Sequence, residues 1–155
     1  MRKQSAGLIM YRVRDHALEV LLVHPGGPYY ERKDELVWSI PKGEFKEGEN
    51  PLSTAKREFE EETGFRPAGT FLALSPITQR SGKEVMAWAF EGDCDPEKIK
   101  SNAFTMEWPP SSGRTQEFPE VDRAEFFTIP EAKKKIVPAQ IPLLEELKEQ
   151  LEKMN

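Results

Sequence analysis

Residues 43–65 read Gly43-Glu44-Phe45-Lys46-Glu47-Gly48-Glu49-Asn50-Pro51-Leu52-Ser53-Thr54-Ala55-Lys56-Arg57-Glu58-Phe59-Glu60-Glu61-Glu62-Thr63-Gly64-Phe65. Glycine loops lead into this stretch and a glycine stops it. Asn50 has the side chain of an N-cap, and Pro51 suits the first helical position, where an N–H is not needed. Gly64 suits the left-handed position just past a helix end. Together these signals predict a helix from Pro51 to Thr63. Leu52, Ala55 and Phe59 recur at spacings of three and four and give that helix an apolar face. Glu58, Glu61 and Glu62 fall on a neighbouring face by the same arithmetic.

Three carboxylates on one helical face repel one another, by a few tenths of a kcal/mol for each pair, roughly. A bound cation reverses the sign of that term. Ligands that are all hard oxygens favour Mg²⁺ or Mn²⁺ over zinc, which prefers His and Cys. Such a cation completes its shell with water and phosphate oxygen, a setting suited to hydrolysis of a pyrophosphate link. A Glu run alone usually means a solvated acidic face. Here the run stands in register with two glycines, an arginine and an upstream glutamate.

That register resembles, without a gap, the signature box of the Nudix hydrolases, G-x5-E-x7-R-E-U-x-E-E-x-G-U, where U is a bulky apolar residue. The fixed positions are Gly43, Glu49, Arg57, Glu58, Glu61, Glu62 and Gly64, with Phe59 and Phe65 at the apolar ones. The resemblance implies an α/β/α sandwich with a mixed β-sheet. It also implies Mg²⁺- or Mn²⁺-dependent attack of water on a phosphorus of a nucleoside diphosphate-linked compound. By the same resemblance Glu58, Glu61 and Glu62 are metal ligands, and Glu58 matches a general base of some members. Arg57 matches an arginine that orients a glutamate, work for which a forked guanidinium is suited. Glu49 ties loop to helix, and Gly43 gives the backbone the freedom to turn a carbonyl near Lys42 and Gly43 toward the metal.

The chain has 155 residues, enough for one domain with a real core, spanning 1–155. Its 22 Lys and Arg against 27 Asp and Glu leave a net charge of −5, which disfavours a nucleic-acid-binding surface. A phosphate substrate stays compatible, because a metal supplies positive charge. The single cysteine, Cys94, permits no internal disulfide, so a reducing cytoplasmic setting is expected. The N-terminus lacks the apolar stretch of a signal peptide, and no run approaches the ~18 apolar residues of a membrane span. The expected partner is a small nucleotide, with neither a stable nucleic-acid complex nor a membrane.

Along the chain, Ser5–Val13 and Leu18–His24 read as strands joined by a turn at Asp15-His16. Residues 25–35 read as a loop and Leu36–Ile40 as a short strand that delivers Pro41-Lys42-Gly43. Gly69–Ser75 and Glu84–Glu91 read as a strand pair. In the second, Val85, Ala87 and Ala89 alternate with Met86, Trp88 and Phe90. A loop at Pro109–Gln116 precedes a strand at Arg123–Thr128 and a short helix at Pro130–Ile136. Leu143, Leu144, Leu147 and Leu151 give a final amphipathic helix. Strands around a central helix, closed by another helix, make a layered α/β architecture.

Outside the box, Trp38-Ser39-Ile40-Pro41-Lys42-Gly43 and Glu120–Phe127 resemble the diadenosine tetraphosphate hydrolase branch of the family. The branch implies dinucleoside polyphosphates as substrate, diadenosine tetraphosphate giving ATP and AMP. Two other readings stand beside it: a nucleoside triphosphate pyrophosphatase, and a nucleotide-sensing module without turnover. The segments 25–35 and 108–114 depart from the branch. Glu120 matches a glutamate that many members add as a metal ligand; a plain loop residue is the other reading. Lys42 is placed to contact phosphate or to be solvated. Tyr29, Tyr30, Trp38 and Trp88 are candidates to stack on a base, with core packing the alternative for the two tryptophans. His24, without a ligand-spaced partner, reads as structural.

Overall fold

The computed structural model describes residues 3–154. Its centre is a mixed sheet. Strand β1 (Gln4–Arg14) pairs in parallel with β6 (Glu84–Glu91) along one edge. Along its other edge it pairs antiparallel with two partners in succession. Strand β3 (Lys42–Phe45) takes its first half and β2 (Ala17–Pro25) takes its second. Strand β9 (Val121–Thr128) extends the sheet beyond β2, and the short β4 (Leu72–Ala73) and β5 (Ile77–Thr78) pair with β6.

The period-2 pattern of the central strands splits the core into two clusters. Ala6, Leu8, Met10, Leu21 and Val23 face helix α1 (Pro51–Thr63), where they meet Ala55 and Phe59. Ile9, Val20, Leu22, Val85, Ala87 and Ala89 face α2 (Ile129–Lys135) and α3 (Ile141–Lys153), meeting Ala132, Leu143, Leu144 and Leu147. The result is an α/β/α sandwich. Phe59 is fully buried and stacks edge-on to Phe90 at 5.3 Å; truncating such a side chain costs about 3–5 kcal/mol. Trp38 also lies in the core, edge-on to Phe127 and to His24, and Trp88 packs beneath α1 half-buried.

Helix α1 starts and stops where its residues predict. The Asn50 side chain accepts from the Ser53 N–H at 3.0 Å, and Gly64 adopts φ 81° while its N–H donates to the Glu60 carbonyl. Other segments differ. Leu36–Ile40 is not a strand: it makes only two isolated bridges, Val23 to Ser39 and Trp38 to Ile136. The strand comes later, at Lys42–Phe45, so that the loop into α1 leaves from the sheet itself. Within 69–75 only Leu72–Ala73 pairs. A hairpin, β7 (Ala103–Glu107) with β8 (Thr115–Pro119), frames the loop read at 109–116, in register Phe104 to Phe118. It forms a separate two-stranded sheet beside the main one.

Candidate active site

The sheet and α1 meet at Gly43. A Cβ built on this residue would lie 2.1 Å from Glu58 Cδ and 2.4 Å from its Oε1. The glycine is therefore required by close approach, because the Glu58 side chain lies on its Cα. Backbone freedom is not the reason: Gly43 is not among the glycines with positive φ. On the outer side of the same helix Arg57 faces three carboxylates, Glu49 at 3.8 Å, Glu58 at 3.5 Å and Glu61 at 3.8 Å. Glu49 also accepts the Lys46 N–H at 2.7 Å, so it fixes the loop before α1 as well as touching Arg57.

Glu62 is the unusual member. Only 8% of it is exposed. Burial, then the charges of Glu58 and Glu120, raise its pKa to about 9, against the opposing pull of Lys42. Burial and Glu61 hold Glu58 above the usual carboxylate range despite Arg57. Burial and Glu61 do the same to Glu120. Lys42 is pulled below its ordinary value by burial and by Lys83, while Glu62, Glu44 and Glu58 oppose the shift. These couplings place Lys42, Glu58, Glu61, Glu62 and Glu120 in one neighbourhood, although Glu120 is far from the helix in sequence.

Glu120 arrives there from the root of the hairpin. Its N–H donates to the Asn102 carbonyl at 2.8 Å, and the Asn102 N–H donates to the Glu61 carbonyl at 2.9 Å. Its own carbonyl accepts the Gly26 N–H at 2.9 Å. The loop 25–35 and the hairpin, the two departures in the sequence, are thus one structure. They touch at the root through Gly26 and Glu120. Just above the root, Gly27 lies against Phe104; at the tip, Tyr29 stacks edge-on to Trp108 at 5.3 Å. Tyr29 is 57% and Tyr30 41% exposed, and Tyr30 carries Lys33 over its ring. The far end of the loop is pinned to the core: buried His24 contacts the Lys33 carbonyl and Asp122, and Trp38 Nε1 donates to Asp34. A cavity of about 200 Å³ opens beside Gly27, Pro28, Glu31, Phe118, Pro119 and Asp122.

Sequence marks Trp108 only as the start of a segment that departs from the branch, and carries no signal for Asn102 or Ser101, whose positions depend on pairing across the hairpin. The Gly26-Gly27 pair was a signal of close approach. A Cβ on Gly26 would meet the Pro119 carbonyl oxygen at 1.9 Å.

Among the described residues, no three Asp, Glu, His or Cys side chains form a closed metal shell. The fit to a cation lies in the donor chemistry. A nearly buried carboxylate crowded by like charges is costly unless positive charge reaches it. All the donors are hard oxygens of the kind Mg²⁺ takes.

A model of the NUDIX domain matches residues 1–147. The fold is also similar to solved structures. A C. elegans Ap4A hydrolase binary complex superposes with TM-score 0.65 at 22% identity, covering 96% of this chain and 97% of that one. The NUDIX domain of Shewanella oneidensis NrtR, complexed with ADP ribose, gives 0.63 at 17% identity, covering 97% and 89%. The E. coli ORF135 protein gives 0.55 at 22% identity, covering 94% and 88%.

Proposed function

We propose a substrate and a division of labour for this chain, which belongs to the Nudix family and is a hydrolase of that family. The substrate class is dinucleoside polyphosphates, with diadenosine tetraphosphate cut to ATP and AMP. The observation that carries a cation-dependent hydrolase is Glu62, a carboxylate almost without solvent beside Glu58 and Glu120. Nudix enzymes generally use divalent cations. We assign Mg²⁺ or Mn²⁺ to Glu58, Glu61, Glu62 and Glu120, with a carbonyl near Gly43. When bound, such a cation neutralises phosphate charge and lowers the pKa of water.

The chain's own groups do the rest. Glu58 receives the proton of the attacking water at a carboxylate oxygen held by contact with Gly43. Arg57 restrains Glu58 and Glu61 in its fork. The Lys42 ammonium meets phosphate oxygens. Tyr29 and Trp108, already in edge-on contact, together present an aromatic surface on which a base stacks, with Tyr30 beside them. Five residues of antiparallel strand separate Trp108 from the hairpin root, roughly 17 Å. A base held at the tip needs a long phosphate chain to reach the helix. This favours dinucleoside polyphosphates over simple triphosphates, and likeness to an Ap4A hydrolase over 96% of this chain and 97% of that one supports the same choice.

The deciding experiment incubates the protein with a nucleotide panel and Mg²⁺, with and without excess chelator, and identifies products by mass. ATP and AMP from diadenosine tetraphosphate, lost in chelator, is the expected result. A wide preference for simple triphosphates would move the chain to nucleotide housecleaning. No turnover on any member would make it a sensing module.

A further inference from the structure

Glu120 stands outside the acidic helix, and its place depends on contacts from two segments, one at Gly26 and one at Ser101-Asn102. Its N–H is held by the Asn102 carbonyl at 2.8 Å and its carbonyl by the Gly26 N–H at 2.9 Å. The next N–H, that of Val121, donates to Ser101 Oγ at 2.9 Å, and the same hydroxyl donates to the Asn102 carbonyl at 2.8 Å. The Ser101 side chain therefore closes a small ring around the Glu120 peptide. The segment carrying Ser101 is itself fastened to the end of α1. Lys100 N–H donates to the Thr63 carbonyl and Asn102 N–H to the Glu61 carbonyl, both at 2.9 Å. Gly64 lies against Lys100, where a Cβ would sit 3.1 Å from its carbonyl oxygen. From the other side, Gly26 approaches so closely that a Cβ would overlap the Pro119 carbonyl oxygen.

Every backbone donor and acceptor from Glu120 carbonyl to Val121 N–H is thus engaged. The direction of the Glu120 side chain follows from a bracket rooted in the acidic helix. We propose that Ser101 and Gly26 are positioning residues that hold Glu120 toward the cation site. The proposal rests on the reading above that Glu120 joins Glu58, Glu61 and Glu62 around a divalent cation. Ser101 acts by a side-chain hydroxyl that bridges two main-chain groups. Gly26 acts by lacking a side chain.

The test measures Mn²⁺ affinity without substrate, by calorimetry, for wild type, Glu58→Gln, Glu120→Gln, Ser101→Ala, Gly26→Ala and the Ser101→Ala/Glu120→Gln double variant. Outer contacts that orient a ligand typically contribute 10–100-fold to metal affinity. Ser101→Ala and Gly26→Ala should each weaken Mn²⁺ about tenfold, toward the low end of that range. In the Glu120→Gln background Ser101→Ala should add nothing, because it acts through Glu120. Ser101→Ala removes one oxygen and keeps the test sound if Gly26→Ala fails to fold.

The inference is overturned if Ser101→Ala binds Mn²⁺ like wild type while Glu120→Gln does not. It is equally overturned if Ser101→Ala costs the same factor with and without Glu120, which is what a merely structural role gives. If Glu120→Gln binds like wild type while Glu58→Gln is weakened, there is nothing for Ser101 to position and the inference falls, but the hydrolase reading stands. If Glu58→Gln is also unaffected, the cation reading itself has failed.

Discussion

Gly43→Ala separates a residue needed for folding from one needed for chemistry. The new Cβ would stand 2.1 Å from Glu58 Cδ, 2.4 Å from Oε1 and 2.5 Å from Cγ. Ordinary contact requires Glu58 to retreat by more than about 1 Å. The obstacle is the end of a flexible side chain, so Glu58 can swing away at little cost to the fold. Alanine also stabilises a strand position relative to glycine by roughly 0.5–1 kcal/mol. We therefore predict a melting shift below about 4 °C in either direction. A catalytic group displaced by about 1 Å loses roughly a hundredfold in rate, or about 2.7 kcal/mol of barrier. The assay is kcat/KM on diadenosine tetraphosphate with Mg²⁺, beside thermal melts. In a Glu58→Ala background Gly43→Ala should be silent, since the displaced group is gone. Activity above half of wild type would show that the Gly43–Glu58 contact does not set the chemistry. A large drop in melting temperature would make Gly43 a structural residue.

In metal-free protein, stability should fall as pH rises from about 4.5 to about 9, because folded Glu62 keeps a proton that the unfolded chain releases. Glu62→Gln should flatten that slope in chemical-denaturation curves while strongly reducing turnover; an unchanged slope would refute the burial argument. Tyr29→Ala and Trp108→Ala should each raise KM about ten- to a hundredfold with little change in kcat, because stacking is present in ground and transition states alike. Steady-state kinetics in which neither changes kcat/KM would place the base elsewhere. Gln140→Leu should cost about 1–3 kcal/mol, because the buried Ile40 N–H loses the Gln140 side-chain oxygen that accepts it at 3.0 Å; an unchanged denaturation midpoint would contradict this.

What the sequence made legible is what local chemistry determines. Asn50, Pro51 and Gly64 mark the ends of α1 with caps that involve only neighbouring residues. Alternation in Glu84–Glu91 identifies both faces of a strand that really is covered on both sides. Leu36–Ile40 misled because Trp38 and Ile40 are buried as anchors of a bridging segment, which has the hydropathy of a strand without its ladder. Lys42–Phe45 was missed for the opposite reason: its side chains are mostly half-exposed, so its ladder with β1 leaves no hydropathy pattern. Phe104 and Met106 alternate in Ala103–Glu107, but the cover of Phe104 comes from Phe118 on the opposite hairpin strand and from Gly27, which composition cannot join to it. At the site, the box residues were legible as a register. Where Glu120 sits was not, because its neighbours come from positions near 26, 63 and 101.

The joint between Glu120 and α1 is made of peptide groups, and that determines how it can be damaged. A main-chain hydrogen bond is indifferent to side-chain identity, so most substitutions between Phe65 and Lys100 should leave Glu120 where it is. A change in length near the bracket is different. Deleting one residue between Thr63 and Ser101 close to the bracket shifts Lys100 and Asn102 out of reach of the Thr63 and Glu61 carbonyls. It would unseat Glu120 without touching any acidic side chain. The far end of the wall has the reverse character. Tyr29 and Trp108 meet only through their rings, so identity matters there. On the proposed reading, catalysis is tied to the protein by backbone geometry, and base recognition by side chains at the rim of an exposed loop. A fold divided in this way can change its nucleotide without disturbing its carboxylates.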